Sequence, residues 1–318
     1  MKAIQLHQYG DLNTLKFENV PVPEITDDTV LVNVRAAGVN HIDYLKATGI
    51  LKDIYPLTFP WIPGRDFSGV IVKVGANVTG FKPGDEVYGD GVDGGAYAEY
   101  ILIKPDAISL KPESLSFEEA ASVPVAAEAA YQGLFHYANI TAGQRIFIHG
   151  AAGSVGGYLI QLAHQAGATV VATSCVADYR HLKSLGADEL IDYNTDFKLY
   201  KNKADTVFNL VGAAVQQNSY HLLKEGGLLI STNLPPNIEE AEKHHVKAVM
   251  MHQAPNAEDL RLIARLIDVG KLKVHLAKTY ELKDAAVALA YIAETFSDKK
   301  QNRKEANKRY GKTVLRVT

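Results

Sequence analysis

Arg145-Ile146-Phe147-Ile148-His149-Gly150-Ala151-Ala152-Gly153-Ser154-Val155-Gly156-Gly157 is the stretch that decides the fold of this 318-residue chain. Its first five residues read as a buried strand, and the small residues after them make a tight turn. Val155, Leu159, Leu162, Ala163 and Ala166 then recur on one face of a helix. Strand, glycine turn and helix in that order suit the pyrophosphate of a dinucleotide. Gly153 lets the backbone approach the phosphates, Gly156 lets the helix pack close to the strand, and the helix N-terminus offers free N–H groups. Ala151 stands where the commoner fingerprint has its first glycine. Gly150, Ala151, Ala152, Gly153, Ser154, Val155 and Gly156 are therefore candidate cofactor residues. Close helix–strand packing alone would also select small residues, so the reading leans on what surrounds the turn.

Towards the C-terminus, strand-like runs alternate with helical ones: Thr169 to Thr173, Glu189 to Asp192, Thr206 to Val211, Leu228 to Thr232 and Val246 to Met251. With the first strand they make six, which predicts an α/β fold with a parallel, doubly wound Rossmann sheet. Val211, at the end of the fourth strand, joins the cofactor candidates. An acidic residue about 20 positions past the first glycine would bind the ribose hydroxyls of NAD. Val171-Ala172-Thr173-Ser174-Cys175-Val176 offers no carboxylate there. Ser174, Arg180 and Tyr193 instead provide partners for a 2′-phosphate and no repelling charge, so NADPH is the expected cofactor. Arg180 also reads as an ordinary exposed helix residue.

Towards the N-terminus the texture becomes β-rich. Val30-Leu31-Val32-Asn33-Val34-Arg35 and Val70-Ile71-Val72-Lys73-Val74 are strand runs, and Pro83-Gly84-Asp85 is a turn ahead of Glu86-Val87-Tyr88. Ser116-Phe117-Glu118-Glu119 reads as a capping box opening the first helical region. Beyond the sheet, Asp259 to Val269 is amphipathic, and Lys312 to Val317 reads as a strand returning to the β-rich domain. The expected organisation is a substrate domain over 1–122, a dinucleotide domain over 123–256, and a return segment over 257–318 completing the first.

Bulk composition agrees with a globular protein: 47% apolar, 22% charged, net charge −3. No basic stripe supports nucleic-acid binding, and Lys299 to Arg309 reads as a solvated surface segment. No stretch has the apolar length of a membrane span, and the start lacks the pattern of a secretory signal. Cys175 is the only cysteine, which leaves no internal disulfide and no cysteine-rich zinc site. The cytoplasm is the default location.

Several short landmarks occur in order from end to end: Gly38-Val39-Asn40 with Asp43, Pro63-Gly64-Arg65-Asp66 with Gly69, Gly75, Pro83-Gly84-Asp85 and Gly95-Ala96-Tyr97-Ala98-Glu99-Tyr100. They continue through the glycine turn, Leu185-Gly186-Ala187-Asp188, Ile191-Asp192-Tyr193, Gly226-Gly227 and Gly311-Lys312. Through them the whole chain resembles the medium-chain dehydrogenase/reductase superfamily, and within it the quinone oxidoreductase branch. The resemblance implies a GroES-like β-rich domain closed by the C-terminal segment, Rossmann strand order 3-2-1-4-5-6, a homodimer, and NADPH-dependent reduction of quinones or α,β-unsaturated carbonyls. It also places Tyr193 by the 2′-phosphate. Zinc-using relatives have a cysteine where Asn40 stands and a His-Glu pair where Arg65-Asp66 stands, so no metal is expected.

Without zinc, the substrate oxygen has to be polarised by hydrogen-bond donors. Asn40 is the first candidate, as an amide that orients substrate or nicotinamide, or else as a turn residue. Tyr44 is a proton donor or a pocket wall, with water as the other proton source. Asp43 has an orienting role, because a carboxylate does not stabilise an enolate. Arg65 is expected to pair with Asp66 rather than attract an anion. Two positions depart from the branch: His41 where proline is common, and Ala129 where a threonine often reaches the nicotinamide. The alternative from another class is a catalytically weak NADPH-binding structural or regulatory protein on the same scaffold.

Overall fold

The computed structural model describes residues 1–297 and 310–317; the charged segment Lys299 to Arg309 lies outside the described residues. The chain divides into two compact units, Met1–Glu128 with Ala254–Thr318, and Ala129–Gln253.

The first unit opens with strands Lys2–Leu6 (β1), Leu15–Asn19 (β2) and Val30–Val39 (β3), then helix His41–Ala47 (α1). Strands Asp66–Val74 (β4), Glu86–Asp90 (β5), Tyr100–Ile103 (β6) and Ile108–Leu110 (β7) follow, with helices Phe117–Ala120 (α2) and Pro124–Tyr131 (α3). The capping box at the start of α2 is present: Ser116 Oγ accepts from the Glu119 N–H, and Glu119 Oε2 accepts from the Ser116 N–H at 2.9 Å. Such a cap contributes about 1 kcal/mol.

The second unit carries a π-helical turn at Gln132–Tyr137. It continues through Arg145–His149 (β8), Ser154–Gln165 (α4), Thr169–Ser174 (β9), Tyr179–Ser184 (α5), Glu189–Asp192 (β10), Ala204–Asn209 (β11), Ala213–Leu222 (α6), Leu223–Ser231 (β12), Ile238–Lys243 (α7) and Lys247–Met250 (β13). Its sheet is parallel throughout, in the order β10-β9-β8-β11-β12-β13. The parallel sheet is the one expected from the strand–helix alternation, and its order is the 3-2-1-4-5-6 that the family resemblance implies. The departures from the reading of the sequence are largest at β12 and β11. β12 starts at Leu223, where it pairs with Ala204 ahead of a register shift. β11 stops at Asn209 rather than Val211, because Asn209 Oδ1 accepts from the Val211 and Gly212 N–H groups at 3.0 and 2.8 Å and turns the chain out of the sheet.

The return segment adds Ala257–Asp268 (α8), Leu276–Glu281 (β14), Ala285–Ser297 (α9) and Lys312–Arg316 (β15) to the first unit. The amphipathic stripe of α8 buries Leu260, Ile263, Ala264 and Ile267, and Asn256 caps its start. β15 runs antiparallel to β3, with Thr313 opposite Val39, and completes a seven-stranded sheet ordered β14-β15-β3-β4-β5-β7, with β6 also on β3. The C-terminal strand therefore closes the N-terminal sheet, as the sequence predicts. Val32, Val34, Phe67, Ile71, Val87, Tyr97 and Leu315 form the centre of its core, against Ala285, Ala288 and Leu289 of α9. No helix among the described residues is long and apolar enough to cross a membrane.

Candidate active site in two parts

In the second unit, β8 ends at His149 and the chain turns at Gly150, whose φ of +82° is a conformation few residues other than glycine adopt. Gly153 then serves as N-cap of α4 with no side-chain cap bond. The N–H groups of Ser154, Val155 and Gly156 have no acceptor among the described residues. They are orphan donors at the positive end of a 12-residue helix, which is the chemistry a phosphate requires. A Cβ on Gly156 would lie 2.5 Å from the Ala151 carbonyl oxygen, so glycine there is demanded by backbone contact. Val211 lies against the same turn, its Cγ2 3.1 Å from where a Gly150 Cβ would stand.

A buried polar row supports these loops: Thr173, His149, Asn209 and Ser231 are register neighbours across β9, β8, β11 and β12. Asn209 folds the loop at Val211, and Ser231 Oγ donates to the Leu234 carbonyl at 2.6 Å. His149 Nδ1 lies 3.2 Å from Thr173 Oγ1, its Nε2 has no partner, and burial pushes its pKa down to about 3, so the ring is neutral.

The end of β9 corrects one expectation. Ser174 is buried and its hydroxyl donates to Asp178 Oδ2 at 2.6 Å, with the Cys175 thiol 3.1 Å from the same oxygen. A serine has one donor, and this one is spent, so Ser174 is no phosphate donor. Two carboxylates also stand near: Asp178, fully buried below Ser174, and Asp192, its register partner on β10. The window read as free of acids was too short by two residues. Arg180 is exposed at the start of α5, and Tyr193 is 43% exposed just past β10.

In the first unit the functional candidates sit where β3 gives way to α1. Asn40 is the N-cap residue of α1, where it and Asp43 form a capping box. Its Nδ2 donates to Asp66 Oδ2 at 2.9 Å, and its Oδ1 accepts from Lys312 Nζ at 2.6 Å. Lys312 Nζ also pairs with Asp66 Oδ2, and the other Asp66 oxygen accepts from the Val125 N–H at 2.7 Å. Gly38 makes room, since a Cβ there would lie 2.9 Å from Asp66 Oδ2 and 2.4 Å from the Ala121 carbonyl oxygen. Both ends of the Asn40 amide are thus engaged by its own chain. Sequence reasoning missed Lys312. The available signal was a lysine opening a buried terminal strand after an obligatory glycine.

Asp43 orients its own chain. Its Oδ2 accepts from the Asn40 N–H at 2.9 Å and from the Tyr97 hydroxyl at 3.0 Å, while its Oδ1 is buried without a partner. Burial raises its pKa to about 6, and burial beside Asp43 raises that of Tyr97 well above its usual value. Tyr44 is half-buried against the sheet core, its ring nearly parallel to His41 at 6.0 Å, and its hydroxyl has no hydrogen-bond partner among the described residues. The expected Arg65–Asp66 pair is replaced. Arg65 forks onto Asp90, with Nε at 2.8 Å from Oδ1, while Asp66 is taken by Lys312. Glu128 is a further buried acid that sequence reasoning passed over. It accepts from the Asn256 N–H at 2.8 Å, and burial followed by repulsion from Asp90 pushes its pKa well up. Among the described residues no cluster of three or more histidine, cysteine or acidic side chains could hold a metal.

Comparison with known proteins places these parts. Residues 26–113 match the family model described as alcohol dehydrogenase GroES-like domain, and residues 185–295 the one described as zinc-binding dehydrogenase. The chain is 38% identical over 244 residues to an NADPH-dependent alkenal/one oxidoreductase of Arabidopsis thaliana, covering 73% of this chain and 62% of that protein. It is 30% identical over 309 residues to a chloroplast envelope quinone oxidoreductase homolog of the same plant, covering 91% of this chain and 94% of the relative. The solved quinone oxidoreductase of Coxiella burnetii superposes with a TM-score of 0.87 at 34% identity, covering 100% of this chain and 99% of that one. The chain spans only 61 to 62% of the length of the plant relatives that match it at 38 to 43% identity.

Proposed function

Because the chain belongs to the quinone oxidoreductase branch of the medium-chain dehydrogenase/reductase superfamily, we propose that it is an NADPH-dependent reductase of quinones or α,β-unsaturated carbonyls that works without zinc. The observation that carries this reading is the set of orphan N–H groups at Ser154, Val155 and Gly156, above a turn too tight for any side chain at Gly156. Those donors hold the pyrophosphate, Val211 lines the turn, and Arg180 and Tyr193 take the 2′-phosphate. Bound NADPH supplies the hydride.

The chain's own residues position the acceptor and exclude water. Asn40 retains one unspent Nδ2–H, which polarises the substrate oxygen as charge develops on it. Tyr44 walls the pocket, and its unpartnered hydroxyl is the proton donor held nearest to Asn40 in sequence. Zinc has no place in this reading, since the Asp66 carboxylate is already neutralised by Lys312 and Asn40 is a poor metal ligand. A homodimer is part of the proposal, with β13 leaving the outer edge of its sheet unpaired among the described residues.

The purified protein, mixed with NADPH and a panel of quinones, alkenals and enones, is expected to oxidise NADPH with at least one acceptor and to be insensitive to chelator. Tight NADPH binding with no turnover on any acceptor would instead favour a structural or regulatory protein on this scaffold.

A further inference from the structure

An asparagine carboxamide is nearly symmetric in shape, so its partners decide which end is oxygen and which is nitrogen. At Asn40 the partners are both charged: the Lys312 ammonium at Oδ1 and the Asp66 carboxylate at Nδ2. Flipping the amide would set its NH2 against the ammonium and its oxygen against the carboxylate, turning two charge-assisted bonds into two repulsions. We propose that Lys312 is the positioning residue for Asn40: with Asp66 it locks the carboxamide so that a single Nδ2–H remains to bind a substrate oxygen. The inference rests on the reductase reading and deepens it.

The fold brings Lys312 to this place by register. β15 pairs with β3 so that Thr313 faces Val39, and the next step back sets Lys312 beside Asn40, 272 residues away. Gly311 permits the approach: its φ is +110°, and a Cβ there would come within 1.8 Å of the His275 carbonyl oxygen, which also accepts from the Lys312 N–H at 3.0 Å. The ammonium is spent on two acceptors inside the protein, and Lys312 and Asn40 are both buried, at 5% and 8% exposure. What separates them is unspent hydrogen-bonding capacity on the asparagine Nδ2, which donates to Asp66 with only one of its two hydrogens.

A purely structural tether is separable from a positioning role by a mutant cycle. Substituting Lys312→Met together with Asp66→Asn removes both charges at once and leaves no lone buried ion. The pair of changes is expected to leave NADPH affinity within about twofold and to lower kcat/KM for the acceptor roughly 10- to 100-fold, most of it in kcat. In an Asn40→Ala background the same pair is expected to change kcat/KM by less than about twofold. An equal loss in both backgrounds, or no loss in either, overturns the proposal.

A second readout needs no turnover. In the parent protein the Asn40 side-chain amide, assigned by its loss in Asn40→Ala, is expected to give one sharp, slowly exchanging pair of proton signals in a 1H–15N spectrum. Two sets of signals, or averaging of the pair, overturns it. If the parent consumes NADPH with no acceptor, the reductase reading fails while this spectrum still decides whether the amide is locked.

Discussion

The glycine turn of the second unit and the Asn40–Asp66–Lys312 cluster of the first prepare their ligands in opposite ways. The turn works with backbone: Ser154, Val155 and Gly156 present N–H groups without an acceptor among the described residues, and no ionised side chain takes part. The cluster works with side chains from three distant strands or strand ends, two of them charged and all of them buried. A backbone site tolerates many side chains but no added bulk at its glycines. A side-chain site tolerates bulk at its margins but no loss of charge balance.

Removing one charge should therefore do the greatest damage. Lys312→Met leaves the Asp66 carboxylate buried without its counter-ion, and chemical denaturation should show a loss of about 3–5 kcal/mol, much of it recovered when Asp66→Asn is added. If the single and double variants were equally unstable, the cluster would be held by packing and the contrast would collapse.

At the turn, Gly156→Val puts a side chain against the Ala151 backbone and should cost about 2–3 kcal/mol by overpacking. Fluorescence titration should show NADPH binding lost, with the first unit's melting unchanged if the two are resolved. Retained NADPH affinity would sink the backbone reading of the site.

The smallest expected effect sharpens the electrostatic side. The Asp43 pKa is raised from 3.8 to about 6, first by burial, so the folded state binds the proton more tightly than the unfolded chain. Its contribution is fully present below pH 3.8 and is lost as pH rises through about 6. Asp43→Asn should flatten that part of the stability profile between the two limits. An unchanged slope would place the carboxyl in contact with solvent.

The two regions were unequally legible. The six alternating strands, the turn and the returning β15 follow from periodicity and glycine spacing, because strands and helices are declared locally, whereas the order β10-β9-β8-β11-β12-β13 was implied by the family resemblance. The acid at Asp178 escaped a window that stopped at Val176, since a carboxylate four residues from Ser174 comes under it only once the chain folds back at the start of α5. Arg65 was given its sequence neighbour as partner, yet Asp66 is taken by Lys312 from the far end of the chain and Asp90 of β5 meets the guanidinium.

The sequence by itself determined the two-part architecture and the place of the cofactor turn, because both are written in residues close together along the chain. Only the tertiary structure decided how Asn40 is held. Its orientation depends on an ammonium that antiparallel pairing of β15 with β3 delivers from the far end of the chain, and pairing between distant strands leaves no local pattern to read.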